Sequence, residues 1–528
     1  MSRLDTDFER ACGEITRSLL QAERPSKKAA RAQIKRICAK YSLGRIPKNH
    51  EILATVSGQD FARLRQVLLK KPVKTASGVA VVALMPRPYA CPHGRCTYCP
   101  GGVEFDTPNS YTGKEPSTIN AIENRYEPKA QIASKLERLI AYGHEPAKME
   151  LVIVGGTFLF MPRDYRAGFV KSCYDALNGF DSGTLGEAKA ANEHAQIRSV
   201  GLTIETKPDY CKEEHIDDML EYGATRVEIG VQSLREEVYG TVNRGHSFED
   251  VTESFRISKD AGYKIVAHMM PGLPTMTPQK DIADFGRLFE DPLLRPDMLK
   301  IYPALVLEDT PMYQDYKSGR YAPYSDRDMI GVLTEIKKSV PRWVRIMRVQ
   351  REISPGEIVA GPKSGNLRQL VHRNLHSQGL SCRCIRCREA GTAGMEAEPA
   401  DLRMGRIDYD SSGGREVFLS YEDSQDRIYG FLRLRRPGAG AHRAEITAGS
   451  TIVRELHVYG RSLQLGTRDR GAIQHMGLGK SLMSEAEKIS REEFDADKTL
   501  VISAVGTREY YRRIGYVLEG PYMAKRLG

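Results

Sequence analysis

With 528 residues, 41% of them hydrophobic and 28% charged, the chain is long enough for two to four water-soluble domains. No apolar run nears the roughly 20 residues that span a bilayer, and the acidic start Met1–Glu9 carries no apolar leader, so neither a membrane nor a secreted class is expected. The net charge of +10 is modest for this length, and the ten cysteines are mostly clustered, which suits metal sites in a reducing, cytoplasmic setting better than disulfides.

Residues 1–75 read as a helical, basic region. Arg24–Lys48 holds nine Lys/Arg and no acid, a run that attracts phosphates through counterion release. Ile34, Ile37 and Cys38 recur at helical spacing and give it one apolar side; a solvated basic helix is the plain alternative. A second series, Arg342, Arg345, Arg348 and Arg351, lies far off in sequence. Two such series together point to a nucleic-acid surface.

Over residues 76–354 the pattern changes. Short apolar runs recur at Gly78–Leu84, Glu150–Gly155, Val200–Glu205, Arg226–Val231, Lys264–Met269 and Met298–Tyr302, with helical segments between several of them. Alternating strands and helices predict βα units on a parallel sheet. Six units are too few for a closed eight-fold barrel, so a partial barrel or an open sheet is expected, with active residues at the strands' C-terminal ends. A polar connector follows over 355–400. Residues 401–528 form a smaller domain, in which Glu416–Ser420, Ile428–Leu434 and Thr451–Val458 read as successive antiparallel strands.

The stretch CPHGRCTYCPGG places Cys91, Cys96 and Cys99 just after the first strand. A structural zinc normally closes with four protein ligands, and only three are local here. His93 lies between the first two cysteines, an awkward place for a fourth. Three thiolates would leave one iron of a [4Fe–4S] cluster open to a small molecule. Spacing leans toward the open cluster and keeps zinc as the alternative. Gly155, Gly156 and Thr157 end the second strand, where a glycine pair is a tight turn or a ligand cradle. Glu205 and Lys207 in ETKPDYC, and Glu228 and Gln232 in RVEIGVQS, put polar groups at strand ends. There they could bond a ribose or an amino group, or pair inside a barrel. Cys382, Cys384 and Cys387 form a denser set; a closed structural zinc is preferred, with His372 or His376 completing it and a second cluster or free thiols as alternatives.

In the last domain, Gln474, Gly477, Leu478, Gly479 and Lys480 open a helix after a strand. The Q-x-x-G-x-G pattern resembles the acyl-CoA signature of GNAT acetyltransferases, whose glycines admit a pyrophosphate to free helix N–H groups. A Rossmann reading lacks the βαβ context and the acidic partner. Adjacent Tyr510 and Tyr511 cannot both face a core, and the resemblance implies that one lies near the CoA sulfur.

The cysteine loop and glycine element resemble radical S-adenosylmethionine enzymes, although their usual first spacing is one residue shorter. Together with SYTGKEP, NRGH, AHMMPGLP, RELHVYG, QHMGLGKSLM and GTREYYRRIGY, they make the whole chain resemble the Elongator catalytic-subunit family. That resemblance implies a partial (β/α)6 radical SAM barrel, a zinc-stapled connector and a C-terminal GNAT α+β domain. It implies a [4Fe–4S] cluster, S-adenosylmethionine and acetyl-CoA as cofactors and substrate. The activity implied is carboxymethylation of the tRNA wobble uridine, uridine(34), at its C5 atom. A 5′-deoxyadenosyl radical would activate the acetyl methyl, and thioester hydrolysis would follow. Carried over by position, Lys148, Glu455, Leu456, His457, Val458, the Leu478–Lys480 tract and Tyr511 would contact acetyl-CoA. The partner implied is a tRNA anticodon stem-loop on the basic N-terminal and Arg-rich surfaces. A homodimer is admitted, and assembly with other Elongator subunits is left open. The cysteine spacing and the connector cysteines depart from eukaryotic members and point to a prokaryotic form. Two competing functions are a protein lysine acetyltransferase using the GNAT half alone and a non-catalytic tRNA-binding scaffold.

Overall fold

The computed structural model describes residues 3–22, 26–56, 58–68, 78–142, 144–390, 401–459 and 477–528. Helices Arg3–Leu20, Lys27–Lys40, Asn49–Leu53 and Gly58–Leu68 bury Ile15, Leu19, Ile34, Ile37, Cys38 and Leu64 in a core of their own. Ser26 caps the second helix by accepting from the Ala29 N–H at 3.1 Å. The apolar spacing of the basic run thus becomes one buried side, and Lys27, Lys28, Arg31, Lys35 and Arg36 stay exposed on the other.

Seven parallel strands follow: β1 (Ala80–Leu84), β2 (Lys148–Ile153), β3 (Arg198–Thr206), β4 (Arg226–Gln232), β5 (Lys264–Met269), β6 (Met298–Ile301) and β7 (Arg345–Arg348). They lie side by side in sequence order as a curled half-barrel with helices between them, the arrangement expected of right-handed βα repeats. Six of the strands fall on the apolar runs of the sequence, and β7 is additional. Residues predicted as connector belong partly to this body: Leu367, Val371 and Leu375 on helix Leu367–Ser377 join the barrel's core.

A second, mixed sheet holds β8 (Arg403–Ser411), β9 (Gly414–Glu422), β10 (Ile428–Arg436), β11 (Ser450–Val458), β12 (Lys498–Val501), β13 (Val517–Glu519) and β14 (Tyr522–Arg526). Its order is β13-β14-β12-β11-β10-β9-β8, and β11–β12 is the parallel pair among antiparallel neighbours. Ser412 (φ 50°) and Gly413 (φ 77°) turn β8 into β9, the left-handed pair that a two-residue hairpin requires.

The two sheets meet through buried charge. Arg454 on β11 binds both oxygens of Asp297 at 2.8 and 2.6 Å and Glu416 at 2.8 Å. Arg435 binds Asp260 at 2.6 Å, and Arg433 binds Glu455 at 2.8 Å; all three arginines are fully buried. Trp343 stacks on Tyr409 with centroids 4.4 Å apart.

This interface also corrects the second basic series. Arg342 pairs with Glu422 and Asp426, and Arg345 pairs with Glu389 at 2.7 Å and donates to the Tyr459 hydroxyl at 2.8 Å. Arg348 faces Glu352 at 3.5 Å, and Arg351 donates to the Ser110 carbonyl. The series belongs to β7 and its flanks, where Arg342, Arg345 and Arg351 are taken up by carboxylates, a hydroxyl and a carbonyl, while Arg348 stays exposed.

Candidate active site and metal centres

β1 delivers the chain into the cysteine loop, where Cys96 and Cys99 are buried and Cys91 is half-buried. Among the described residues, the set of His, Cys, Asp and Glu ligand atoms lying mutually within 4.8 Å is Cys382, Cys384 and Cys387. Cys91, Cys96 and Cys99 do not form such a set, so at least one pair of their sulfurs lies more than 4.8 Å apart, against the ~3.8 Å that 2.3 Å bonds to one tetrahedral ion impose. That spread suits a polynuclear cluster better than a single ion. Burial, and then Cys96, push the Cys99 thiol up to about 11, so ligation must carry its proton away.

Gly155 and Gly156 follow β2 with φ of +133° and +91°, a backbone that side chains resist. A Cβ on Gly155 would meet Pro86 and Pro108 only at ordinary contact, 3.4 and 3.5 Å, so the backbone angle and not space calls for glycine there. The Gly155 N–H donates to Glu205 at 3.3 Å, which ties the glycine turn to the end of β3. Gly156, Thr157, Glu205 and Gln232 line one cleft with the three cysteines. Gln232 sits at φ +71° with its buried Oε1 unpartnered, a group set for a ligand donor. Deeper in the barrel, Glu228 accepts from His268 at 2.9 Å and pairs with Lys300. Burial would raise Glu228, but Lys300 and His268 outweigh it and hold the carboxyl well below its usual range.

A second constellation forms on the other sheet. β11 pairs with β12 over Ser450–Val453 and with β10 as far as Val458, so its later residues hold one neighbour where the early ones hold two. The two-residue alternation sorts this tract. Leu456 and Val458 turn toward helix Leu478–Glu492, while Glu455 bonds Arg433 and His457 stacks on Phe431. That helix starts at Gly477 (φ 77°), and no side chain among the described residues caps it. A Cβ on Gly479 would lie 3.0 Å from the Tyr510 hydroxyl, 3.7 Å from Val458 and 3.9 Å from Leu456, so these residues share one place. The Tyr510 hydroxyl is buried without a partner.

Comparison with known proteins decides the family. Elongator complex protein 3 of Bos taurus is 45% identical over 527 residues, covering 98% of this chain and 96% of its own length. The Saccharomyces cerevisiae protein is 45% identical over 501 residues, covering 92% and 90%. This chain belongs to the Elongator complex protein 3 family. Within it, residues 8–76 match the ELP3 N-terminal domain, 85–286 the radical SAM superfamily and 296–377 the radical SAM C-terminal domain. An archaeal Elp3 structure from Methanocaldococcus infernus, lacking N-terminal residues 1–46, superposes with a TM-score of 0.76 at 42% identity. The match covers 86% of this chain and all of that one. Membership of the radical SAM superfamily implies a [4Fe–4S] cluster and S-adenosylmethionine.

Set against the sequence reading, this Elongator complex protein 3 homologue gathers Cys91, Cys96, Cys99, Gly156, Thr157, Glu205 and Gln232, with Gly155 joined through Glu205. Lys207 is elsewhere engaged: its ammonium lies 3.0 Å from His93 Nδ1 and 3.1 Å from Asp209, and burial followed by Arg244 pushes its pKa down. Tyr511 is buried and edge-on to Tyr516, so Tyr510 offers the nearer hydroxyl to Gly479. Lys148 is half-buried at the start of β2 opposite Arg198, and burial followed by Arg198 lowers its pKa. Gln474 and the tract before Gly477 lie outside the described residues. His268, Lys300 and Arg244 are site residues that the sequence does not single out, though each lies near a strand's end or in a quoted motif; His93, weighed as a fourth ligand, stands between Cys96 and Lys207.

At the second cysteine set, Cys384 and Cys387 sulfurs are 3.5 Å apart and His372 Nε2 is 3.6 Å from Cys387. A tetrahedral zinc demands about 3.8 Å between sulfurs and about 3.5 Å from sulfur to nitrogen. Hydrogen bonds from Cys382 and Cys387 hold the Cys384 thiol well below its ordinary range. His376 is exposed on the same helix, so of the two histidines His372 is the one beside the cysteines.

Proposed function

We propose that the chain carboxymethylates the wobble uridine of tRNA at C5, taking the added carbons from acetyl-CoA. The observation that carries this reading is how the two constellations sit on the barrel. The turn Val505–Thr507 docks on the start of β3, where a Cβ on Gly506 would lie 2.6 Å from Arg198 Cβ. The candidate CoA entry and Lys148 therefore belong to the barrel's N-terminal end, and the cysteine cleft, toward which the acyl arm would extend, belongs to its C-terminal end. Lys148 and Gly155 bracket β2 and are separated by seven residues, about 23 Å of strand.

The cluster, when bound, supplies the electron that cleaves S-adenosylmethionine to a 5′-deoxyadenosyl radical. The residues of the chain do the rest. Cys91, Cys96 and Cys99 hold the cluster, Glu205 and Gln232 offer polar groups to the nucleoside and amino acid parts, and Gly155–Gly156 lets the backbone approach. At the other end, the first N–H groups of helix Leu478–Glu492 receive the pyrophosphate, and the open edge of β11 runs beside the pantetheine. Tyr510 and Lys148 line the entry of the CoA arm, which would carry the acetyl group through the half-barrel. The methyl gives one hydrogen atom to the deoxyadenosyl radical, its carbon bonds to C5 as the C5 proton and the electron first supplied by the cluster leave the base, and hydrolysis releases CoA to leave a carboxymethyl group. Cys382, Cys384, Cys387 and His372 hold a structural zinc that ties helix Leu367–Ser377 to β7. The exposed Lys27–Arg36 face contacts tRNA phosphates.

The test is an anaerobic assay of purified protein with dithionite, S-adenosylmethionine, acetyl-CoA and tRNA, read by nucleoside mass analysis. Cys96→Ala or Cys99→Ala should abolish 5′-deoxyadenosine and product while tRNA binding survives. Retained cleavage by a chain without iron would refute the proposal. Acetyl transfer to a peptide lysine, independent of iron, would favour the protein acetyltransferase instead.

A further inference from the structure

The motif Asn243-Arg244-Gly245-His246 takes no part in the reading above, yet it is pressed against the cysteine loop. Asn243 donates to the carbonyls of His93 and Arg95 at 3.2 and 3.0 Å, and the Thr97 N–H donates to Val242 at 3.0 Å. A Cβ on Gly245 (φ +70°) would fall 2.4 Å from His93 Cβ, so only glycine permits this approach. Arg244 is thereby carried into the cleft at 8% exposure. Its Nη2 donates to the Gly230 carbonyl at 2.6 Å, its Nη1 lies 3.9 Å from Cys96 Sγ, and its Nε has no partner. A Cβ on Gly230 would sit 2.4 Å from Nη2, so a second glycine makes room for the guanidinium.

None of the ion pairs among the described residues includes Arg244. A buried cation left without an anion is strongly destabilising, so this one needs a counter-charge that the protein's carboxylates do not provide at contact distance. Behind His93, outside the cleft lining, lies a second cation. Lys207, 2% exposed, bonds His93 Nδ1 at 3.0 Å, and His93 Nε2 lies 3.2 Å from Cys96 Sγ. Asp209, 3.1 Å from Lys207, pairs with that ammonium and acts on Arg244 only from beyond ion-pair distance.

We propose that Arg244, seconded by Lys207 through His93, is the built-in counter-charge of the iron–sulfur cluster and shifts its one-electron equilibrium toward the reduced form. The inference rests on the cluster assigned above to Cys91, Cys96 and Cys99. A cluster held by three thiolates is anionic and gains one further negative charge when an electron enters, with no bond made or broken. A fixed cation a few ångströms from one ligand sulfur favours the more negative state, because cluster potentials follow net charge, hydrogen bonds to sulfur and exposure. Arg244 and Lys207 are positioning residues in this role, acting through Cys96.

The experiment is a dithionite titration of the reconstituted full-length chain, followed by the EPR signal of the reduced cluster, without S-adenosylmethionine or substrates. Arg244→Gln should reduce at least tenfold less readily, a midpoint 59 mV more negative for one electron. Lys207→Met should move it less in the same direction, and Arg244→Lys should restore it to within threefold of the parent. An Arg244→Gln chain with full iron and the parental midpoint overturns the proposal, as does an Arg244→Lys chain shifted equally. If Arg244→Gln loads no iron while Arg244→Lys loads fully, the Lys207→Met midpoint decides: a more negative value supports the proposal and the parental value overturns it. If neither loads, shape and not charge is required, and it falls. A parent chain that assembles no four-iron cluster refutes the functional reading itself, a separate result.

Discussion

Gly506→Ala probes the docking on which the proposed function depends. Gly506 has an ordinary φ, so its need for a bare Cα is purely steric. An added Cβ would lie 2.6 Å from Arg198 Cβ and 2.7 Å from the Ser199 carbonyl oxygen, both parts of β3's fixed backbone region. Reaching ordinary contact at 3.4 Å requires the turn and the strand to part by about 0.8 Å. Overpacking of this kind is destabilising by about 1–3 kcal/mol, and here the strain falls on the contact between the two sheets. Trp343, the chain's one tryptophan, stacks on Tyr409 across the same interface and serves as reporter. In urea, the Trp343 fluorescence transition should move down by roughly 0.5–1 M. Iron content should not change, since the cysteine loop lies at the far end of the strands. Under the proposed reading, the variant forms 5′-deoxyadenosine but less carboxymethylated product per radical. A Trp343 midpoint and a product ratio both equal to the parent's would refute the steric argument and the coupling drawn from it.

Three further outcomes follow from local geometry. Asp281, 4% exposed, takes hydrogen bonds from the Gly272 N–H at 2.9 Å and the Tyr324 hydroxyl at 2.7 Å on one oxygen, beside the Asp284–Arg235 pair. Burial raises its carboxyl from 3.8 to about 7, so the folded chain keeps a proton that the unfolded chain releases, and stability falls as pH rises from about 4 to 7. Asp281→Asn keeps an oxygen for both donors and should flatten that slope, gaining up to about 4 kcal/mol above pH 7; parallel urea midpoints from pH 4 to 8 would contradict this. His372→Ala should empty the second cysteine site of zinc, as read by elemental analysis, while His376→Ala should not; full zinc in the first variant would exclude His372 as ligand. Replacing Lys27, Lys28, Arg31, Lys35 and Arg36 by Gln should flatten the salt dependence of tRNA binding by up to roughly 4 in log–log slope; an unchanged slope would remove that helix from the interface.

What the sequence disclosed follows a physical line. Strands such as Lys264–Met269 are buried on both faces, so they read as near-continuous apolar runs. β7 escaped because its four residues, Arg345–Arg348, hold two arginines, and what neutralises Arg345 is Glu389, 44 residues on. β8 escaped for a related reason: Arg403–Ser411 is mostly exposed, and its charges find partners far off in sequence, as Arg406 does in Glu493 at the end of helix Leu478–Glu492. The cysteines were legible because ligand spacing is a local property. Arg244, His268 and Lys300 were not, because their meaning lies in burial and in partners more than 30 residues away.

The interface chemistry explains why such distant partners are needed at all. Apolar surfaces would join two sheets more cheaply than Arg433, Arg435 and Arg454, since each buried charge surrenders its hydration. Apolar surfaces also slide, because dispersion contacts are nearly indifferent to a shift of an ångström along a groove. The Arg454–Asp297 fork is not indifferent: two bonds at 2.6 and 2.8 Å fix distance and rotation together, and Glu416, bound by both Arg454 and Arg435, links neighbouring strands to the same point. In the proposed reaction a radical generated at one end of the half-barrel must meet a methyl group presented from the other. Reacting atoms have to stand within about 3–3.5 Å, so a shift of one ångström forfeits much of the rate. An interface that trades stability for register is what such a reaction requires. It is also why a single methyl group at Gly506 should uncouple the two halves without unfolding either.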